Sequence, residues 1–313
     1  MRPPLPDAAH GAVVTDALRP YPMIDVTDWA VEQVETAGRG TNTWLSGPNG
    51  GRWLHKLTRV RPDRREGQDW AEKISAELGT LVGIPTAQVE LARRAGTPGC
   101  ISADLKPGAA WEFQAGSVLI AEFVPSFIPK TRSRQGHNLG NVERSLRSAL
   151  PPVGRAVPGG LTAFDLFCGY LLFDAWIANQ DRHVENWSVL RGPSGALRLA
   201  PSYDHGSTLG FNLTDVRRTR MLGDPDGFAA WLGRGRAEKF EDGRETSLVD
   251  FAHRALSMAP TATWDYWRDR FGSIKQEDWA RIVEATPEMS DPARTFVDRL
   301  LQQNLRRLLD AGD

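Results

Sequence analysis

The sequence predicts an α+β protein of two lobes, strand-rich in its first part and mainly helical in its second. Three observations carry this. Short β-prone segments separated by Gly and Pro turns crowd the first 125 residues, Pro, Gly, Ser and Arg dominate residues 126–160, and helical periodicity prevails beyond Leu161. A chain of 313 residues is long enough for two packed lobes.

Residues 1–22 are rich in Pro and Ala and read as a flexible leader without an apolar run of signal length. Residues 23–36 turn apolar and acidic with no clear period. Gly38 and Gly40 then precede the β-prone pair Trp44-Leu45, and Gly47-Pro48-Asn49-Gly50-Gly51 is strong turn chemistry. Arg52-Trp53-Leu54-His55-Lys56-Leu57 follows as a second strand, so the spacing predicts a hairpin with a glycine-rich entry. Trp70, Ile74, Leu78 and Leu81 recur at helical spacing over residues 69–83, and Gly83 with Ile84-Pro85 stops that helix. Val89-Glu90-Leu91 and Val118-Leu119-Ile120-Ala121 read as strands, the second running into Glu122-Phe123-Val124-Pro125.

These segments define a strand-rich N-lobe over residues 23–125 and a helical C-lobe over 126–313. The C-lobe has a short helix near residues 142–150. Residues 161–178 are its most apolar stretch, and because they include Asp165 and Asp174 they read as a buried core helix rather than a membrane span. Phe296, Leu300, Leu301, Leu305 and Leu308 put one apolar face on a last helix over residues 293–309.

A formal net charge of -1 provides no global field toward nucleic acid or an anionic membrane, so neither is an expected direct partner. Two cysteines, Cys100 and Cys168, are too few for a disulfide scaffold and suit reduced thiols in a cytoplasmic protein. The six histidines form no zinc-site pattern with them.

The chemistry concentrates in Asn179-Gln180-Asp181-Arg182-His183-Val184-Glu185-Asn186-Trp187. Here a buried helix runs into a polar loop that a short strand leaves. Phosphoryl transfer needs a carboxylate to orient and deprotonate the attacking hydroxyl, and an oxygen ligand to hold Mg²⁺ against the phosphates. Asp181 and Asn186 stand five residues apart, the spacing of a protein-kinase catalytic loop. His183 could assist Asp181 from the same side of a locally extended loop. Asp204, after the apolar strand and turn of Leu199-Ala200-Pro201-Ser202-Tyr203, completes a candidate Mg²⁺ clamp with Asn186. Upstream, Lys56 occupies the strand position from which a kinase neutralises the α- and β-phosphates of ATP. Glu72, or alternatively Glu77, would pair with it, and Gly38, Gly40 and Thr41 supply the glycine turn over the phosphates. Each piece alone has an ordinary explanation: Asp181, Asn186 and Asp204 as turn residues, Lys56 as a solvated strand lysine. Their order along the chain is that of a two-lobed protein-kinase-like fold. Arg217, Arg218 and Arg220 follow the metal motif as candidates for an acidic substrate, against the plainer reading of a solvated face.

These residues resemble the HipA-like serine/threonine kinases, a bacterial family related to phosphatidylinositol-kinase-type folds. Asp181-Arg182-His183-Val184-Glu185-Asn186 fits the family's Asp-x-His-x-x-Asn loop, and Ala200-Pro201-Ser202-Tyr203-Asp204 fits its Ala-Pro-x-Tyr-Asp metal motif. Leu54-His55-Lys56 resembles its ATP-binding lysine segment, and Glu72 matches its helix glutamate. Val118-Leu119-Ile120-Ala121-Glu122-Phe123 resembles its hinge, which implies backbone contacts to adenine near Glu122 and Val124. The resemblance spans roughly residues 35–310 and implies ATP and Mg²⁺ as cofactors, a protein substrate with a Ser or Thr acceptor, and an antitoxin partner if the chain is the toxin of a toxin–antitoxin pair. It departs from the family where Asn42 or Thr43 replaces the lysine that commonly ends the glycine loop. The loop's threonines, Thr36, Thr41 and Thr43, also stand where the family can carry a regulatory serine. A lipid or small-molecule kinase shares the Asp-Arg-His opening, and an inactive pseudokinase acting as a binding module is a third reading.

Overall fold

The computed structural model describes residues 19–35, 42–129, 132–153 and 160–311. Its strand-rich part is a six-stranded sheet. β1 (Met23–Asp25) and β2 (Ala30–Glu35) lie at opposite edges, and the sheet order is β1-β7-β8-β4-β3-β2. The expected hairpin is β3 (Asn42–Ser46) and β4 (Arg52–Leu57), joined by the predicted turn, in which Gly50 has φ +72°. A left-handed backbone of this kind is the reason for glycine there. The pairs β5 (Val60–Arg61) and β6 (Arg64–Arg65) form a small separate hairpin before the first helix.

That helix, α1 (Gln68–Val82), matches the predicted one, and Gly83 caps it in the left-handed conformation. β7 (Val89–Arg94) and β8 (Thr97–Ala103) complete the sheet. Gly99 lies opposite Leu57, and a Cβ there would fall 2.3 Å from the carbonyl oxygen of Lys56, so only glycine lets β8 approach β4 at the lysine.

The chain then leaves the sheet through residues 104–111. β9 (Glu112–Ala115) pairs not with the large sheet but with β10 (Ser188–Arg191), which also pairs with β11 (Leu197–Leu199). The strand expected over residues 118–121 is instead part of a short helix, α2 (Gly116–Ala121), packed against α3 (Leu139–Leu146). A short apolar run carries no period of its own, and tertiary packing decided this one.

The apolar stretch is α4 (Ala163–Trp176). A Thr162/Asp165 capping box starts it, and each of its residues is buried, as expected of a helix apolar on all sides. α7 (Leu248–Leu256) and α10 (Asp291–Asp310) pack on it, α8 (Thr261–Gly272) and α9 (Gln276–Glu284) reach its Trp176 through Phe271 and Trp279, and α5 (Asp215–Leu222) and α6 (Pro225–Gly233) pack on α10. α10 is the predicted last helix, with Phe296, Leu300, Leu301, Leu305 and Leu308 buried. Among the described residues no helix is long and apolar enough to cross a membrane. Both cysteines are free and buried.

The two parts are fastened together. α1 contacts α9, Arg270 Nε donates to the carbonyl of Val82 at 3.1 Å, and Tyr21 N–H donates to Ala285 O at 2.7 Å. Glu288 joins them again through its ion pairs with Arg65 and Arg93.

Candidate active site

Lys56 and Asp204, 148 residues apart in sequence, meet between the sheet and the helices, with Nζ 2.6 Å from Asp204 Oδ1. The same ammonium donates to Glu72 Oε1 at 2.7 Å. The other oxygen of Glu72 accepts the backbone N–H of His205 at 2.9 Å, so one buried glutamate fixes both the lysine and the loop carrying Asp204. Glu77 is turned elsewhere and pairs with Lys73 at 2.7 Å. Of the two candidates, Glu72 is thus the partner of Lys56. Burial favours loss of the Lys56 proton, but Asp204 and Glu72 together outweigh it and hold the pKa well above its ordinary value. Lys56 holds the Asp204 carboxyl down at about 2, against the smaller effect of burial, so the carboxylate is ionised wherever the protein is folded near neutrality.

Asp204 has φ +60°, a left-handed conformation uncommon for a non-glycine residue. Such strain persists where the surroundings over-determine it; here Glu72, Lys56 and the buried residues Ser202 and His205 do so. The Asp204 side chain remains 42% exposed.

The Asp181 loop is built on a buried ion pair. Arg182 donates from Nε and Nη2 to the two oxygens of Asp174, each at 2.7 Å. Its Nη1 donates to the carbonyl of Asn186 at 2.7 Å, and Nη2 also reaches Ser202 Oγ at 2.9 Å. Burial, and next the charge of Arg182, keep His205 well below the ordinary histidine pKa. The Nε2 of this neutral ring lies 2.8 Å from Ser202 Oγ, within hydrogen-bonding distance. Asn179 closes the loop from its other end: it donates to Asp174 Oδ1 at 2.7 Å and accepts from the N–H of Asp181 at 3.0 Å.

On this frame Asn186 Nδ2 donates to the carbonyl of Asp181 at 2.8 Å, so the amide oxygen is the atom it could offer a metal. Asp181 is partly exposed, and its Oδ1 lies 3.4 Å from Lys239 Nζ. His183 is anchored through its backbone N–H to Asp181 O at 2.7 Å, and its Nδ1 accepts from Glu185 N–H at 3.2 Å. Burial lowers its pKa against the pull of Asp181 and Asp204.

The amide oxygen of Asn186 and the carboxylate of Asp204 are hard oxygen donors of the kind Mg²⁺ takes. Two protein oxygens leave most of an octahedral shell to phosphates and water, the usual division for this ion.

Gly38, Gly40 and Thr41 lie outside the described residues. Glu122 and Val124 follow a helix rather than a strand, and their N–H groups donate to Leu119 O at 3.3 Å and Ile120 O at 2.9 Å. Those donors close the turn and are not open to adenine. Arg218 is buried against Asp215 at 2.8 Å and Gly210 O at 3.0 Å, whereas Arg217 and Arg220 are exposed on α5.

The geometry invites comparison with known folds. The crystal structure of the Helicobacter pylori proinflammatory kinase CtkA superposes with a TM-score of 0.74 over 92% of this chain and 96% of that one, at 18% identity. HipA of Shewanella oneidensis MR-1, in its complex with HipB and operator DNA, gives 0.55 over 96% of this chain and 73% of that one, at 14% identity. The chain has a HipA-like kinase fold. No family profile and no curated protein matches the sequence. In this HipA-like fold the Asp181 loop, the Asp204 loop, Lys56 and Glu72 are tied together, and Asp174, Ser202, His205 and Lys239, to which the sequence alone assigns no role at the site, contact the same loops. A carboxylate inside the apolar α4 was the available signal for Asp174, since a buried charge demands a partner.

Proposed function

We propose that the protein is an Mg²⁺- and ATP-dependent phosphotransferase acting on a Ser or Thr hydroxyl of a protein. The convergence of Lys56, Glu72 and Asp204 carries this reading: Glu72 and Asp204 fix the ammonium of Lys56 beside a partly exposed Asp204 carboxylate, the lysine, glutamate and metal-binding aspartate that phosphoryl transfer brings together. Lys56 binds the α- and β-phosphates, and Glu72 keeps it in place. Mg²⁺ bound by Asn186 and Asp204 would neutralise charge on the transferring phosphoryl group. Asp181 orients the acceptor hydroxyl and takes its proton, and His183 lies beside it as a neutral hydrogen-bonding group.

Lipid and small-molecule acceptors are separated from protein by the products. The purified protein and a lysate are incubated with Mg-ATP, and phosphorylated species are identified by mass spectrometry. Phosphoserine or phosphothreonine dependent on Asp181 is the expected outcome; ATP turnover with only lipid or metabolite products would replace the protein acceptor, and no turnover would remove the enzyme reading. HipA is bound to HipB in its complex, and a co-purifying partner that suppresses transfer would extend the proposal to a toxin held by an antitoxin.

A further inference from the structure

Lys239 belongs to neither the Asp181 loop nor the Asp204 loop, yet its Nζ lies 3.4 Å from Asp181 Oδ1. It stands on a strap over residues 236–242, between α6 and α7, and this strap is tied to the Asp181 loop on both sides of Asp181. Before it, Gln180 Oε1 accepts the backbone N–H of Arg236 at 3.1 Å. After it, the tie runs through His137. Trp187, which follows Asn186, donates from Nε1 to His137 Nε2 at 3.1 Å, and His137 Nδ1 lies 2.7 Å from Lys239 O. An indole N–H can only donate, so Nε2 is the acceptor and the ring proton sits on Nδ1, directed at the Lys239 carbonyl. The His137 ring is buried, and Phe240 stacks on it with centroids 4.1 Å apart. Glu241 closes the same junction: its N–H donates to His137 O at 2.7 Å and its Oε2 accepts from Gly136 N–H at 2.9 Å. The backbone of Lys239 is thus fixed against the loop, while its ammonium is shared between Asp181 and the exposed neighbour Glu238, at 2.9 Å.

We infer that Lys239 is a positioning residue for Asp181: the strap sets its ammonium against Oδ1, which turns the other carboxylate oxygen toward the acceptor hydroxyl. The inference rests on the phosphotransferase reading, in which Asp181 takes the acceptor proton. A partly exposed aspartate on a loop has several rotamers open to it, and a base that must search for its hydroxyl loses rate. A third group that orients the base removes the search. The plainer alternative is a surface ion pair, which contributes little to stability and nothing to rate. The two differ in what the His137 relay does: a surface pair needs no anchored backbone, whereas a positioning residue acts only from a fixed place.

The test is single-turnover transfer from Mg-ATP to a degenerate mixture of Ser- and Thr-containing peptides by the full chain, with ATP binding measured in parallel by calorimetry. Lys239→Met should slow transfer about tenfold while the dissociation constant for ATP stays within about twofold. Lys239→Arg returns a cation to the same place and should recover most of the rate. His137→Leu removes the relay and should also slow transfer, and the double variant should be no slower than Lys239→Met alone, because the relay acts through Lys239. Glu238→Gln should leave the rate within about twofold, as an exposed pair does. Should Lys239→Met show a lowered urea midpoint, Lys239→Gln carries the same comparison. Normal transfer by Lys239→Met, slowing by Lys239→Arg as large as by Lys239→Met, or a loss accounted for by weaker ATP binding overturns the positioning role while the wild type still transfers phosphate. Absence of transfer by the wild type overturns the phosphotransferase reading, and the inference with it.

Discussion

Arg182 grips Asp174 with two parallel hydrogen bonds of 2.7 Å, and neither side chain is open to solvent. The guanidinium is then shared between the Asn186 carbonyl and Ser202, so one buried pair sets the spacing between the Asp181 loop and the Asp204 loop. Removing one partner leaves an unpaired buried charge. Asp174→Ala should therefore cost about 3–5 kcal/mol, read as a lower urea midpoint. Arg182→Lys keeps the charge but cannot reproduce a planar fork. It should lower kcat at least tenfold with a smaller change in KM for ATP; wild-type turnover in that variant would show that the pair supports stability alone.

Much of this site could be read along the chain because its chemistry-bearing residues sit at fixed short spacings. Asp181 to Asn186 is one loop, Asp204 follows a short strand, and Lys56 ends a hairpin whose turn residues are unambiguous. What joins them was not local. Nothing in the sequence separation of 148 residues brings Lys56 to Asp204, and helical periodicity left Glu72 and Glu77 equivalent until the packing of α1 chose between them. The segment over residues 118–121 failed for the opposite reason. Val118 and Ile120 have strong β propensity, but burial of Leu119 and Ile120, with α2 packed on α3, made the segment helical.

Glu72→Gln and Glu77→Gln make a direct comparison. Glu72→Gln loses the charge that holds Lys56 and weakens the contact to His205, and it should lower kcat/KM for ATP by tenfold or more. Glu77→Gln touches the pair with Lys73, a buried lysine that keeps Glu90 and the Val89 carbonyl as partners, and should stay within about twofold. Equal effects would detach Lys56 from Glu72 as the phosphate receptor.

Asp204→Ala and Asn186→Ala should each reduce Mg²⁺-dependent turnover on the order of 10²-fold, the usual loss for a missing electrostatic stabiliser. Asp204→Ala should also leave Lys56 with one carboxylate, so its apparent affinity for Mg²⁺ should fall more than its thermal stability. Activity of both variants within threefold of wild type would sink the clamp.

Buried His137 makes stability depend on pH. Burial lowers its pKa to about 3, below the ordinary value of 6.5. The unfolded chain takes up a proton below pH 6.5 and the folded chain does not until near pH 3, so stability is full above 6.5 and is lost as pH falls through that window. At pH 5 the loss is about 2 kcal/mol from this group. His55, lowered to about 4 by burial and then by Arg94, acts with the same sign. Urea unfolding of wild type and His137→Gln at pH 7 and pH 5 checks this: the variant should show the smaller drop between the two.

Asp181 is the residue expected to receive the acceptor proton. Its backbone is held at both ends, by Asn179 through the N–H and by Asn186 through the carbonyl, while its carboxylate is partly exposed beside Lys239. A fixed backbone with an accessible carboxylate is what a base needs, because the group must meet a hydroxyl without a search. Asp181→Asn keeps the shape and loses the base, so it should abolish single-turnover transfer while ATP affinity stays within about threefold. His183 has its pKa lowered chiefly by burial and is neutral near pH 7, able to hydrogen-bond but not to add charge. His183→Ala should therefore be impaired less, and its defect should be flat above pH 7, with any pH dependence confined to the acid side. Near-normal transfer by Asp181→Asn would take the base role from Asp181 and leave His183 as the group in reach.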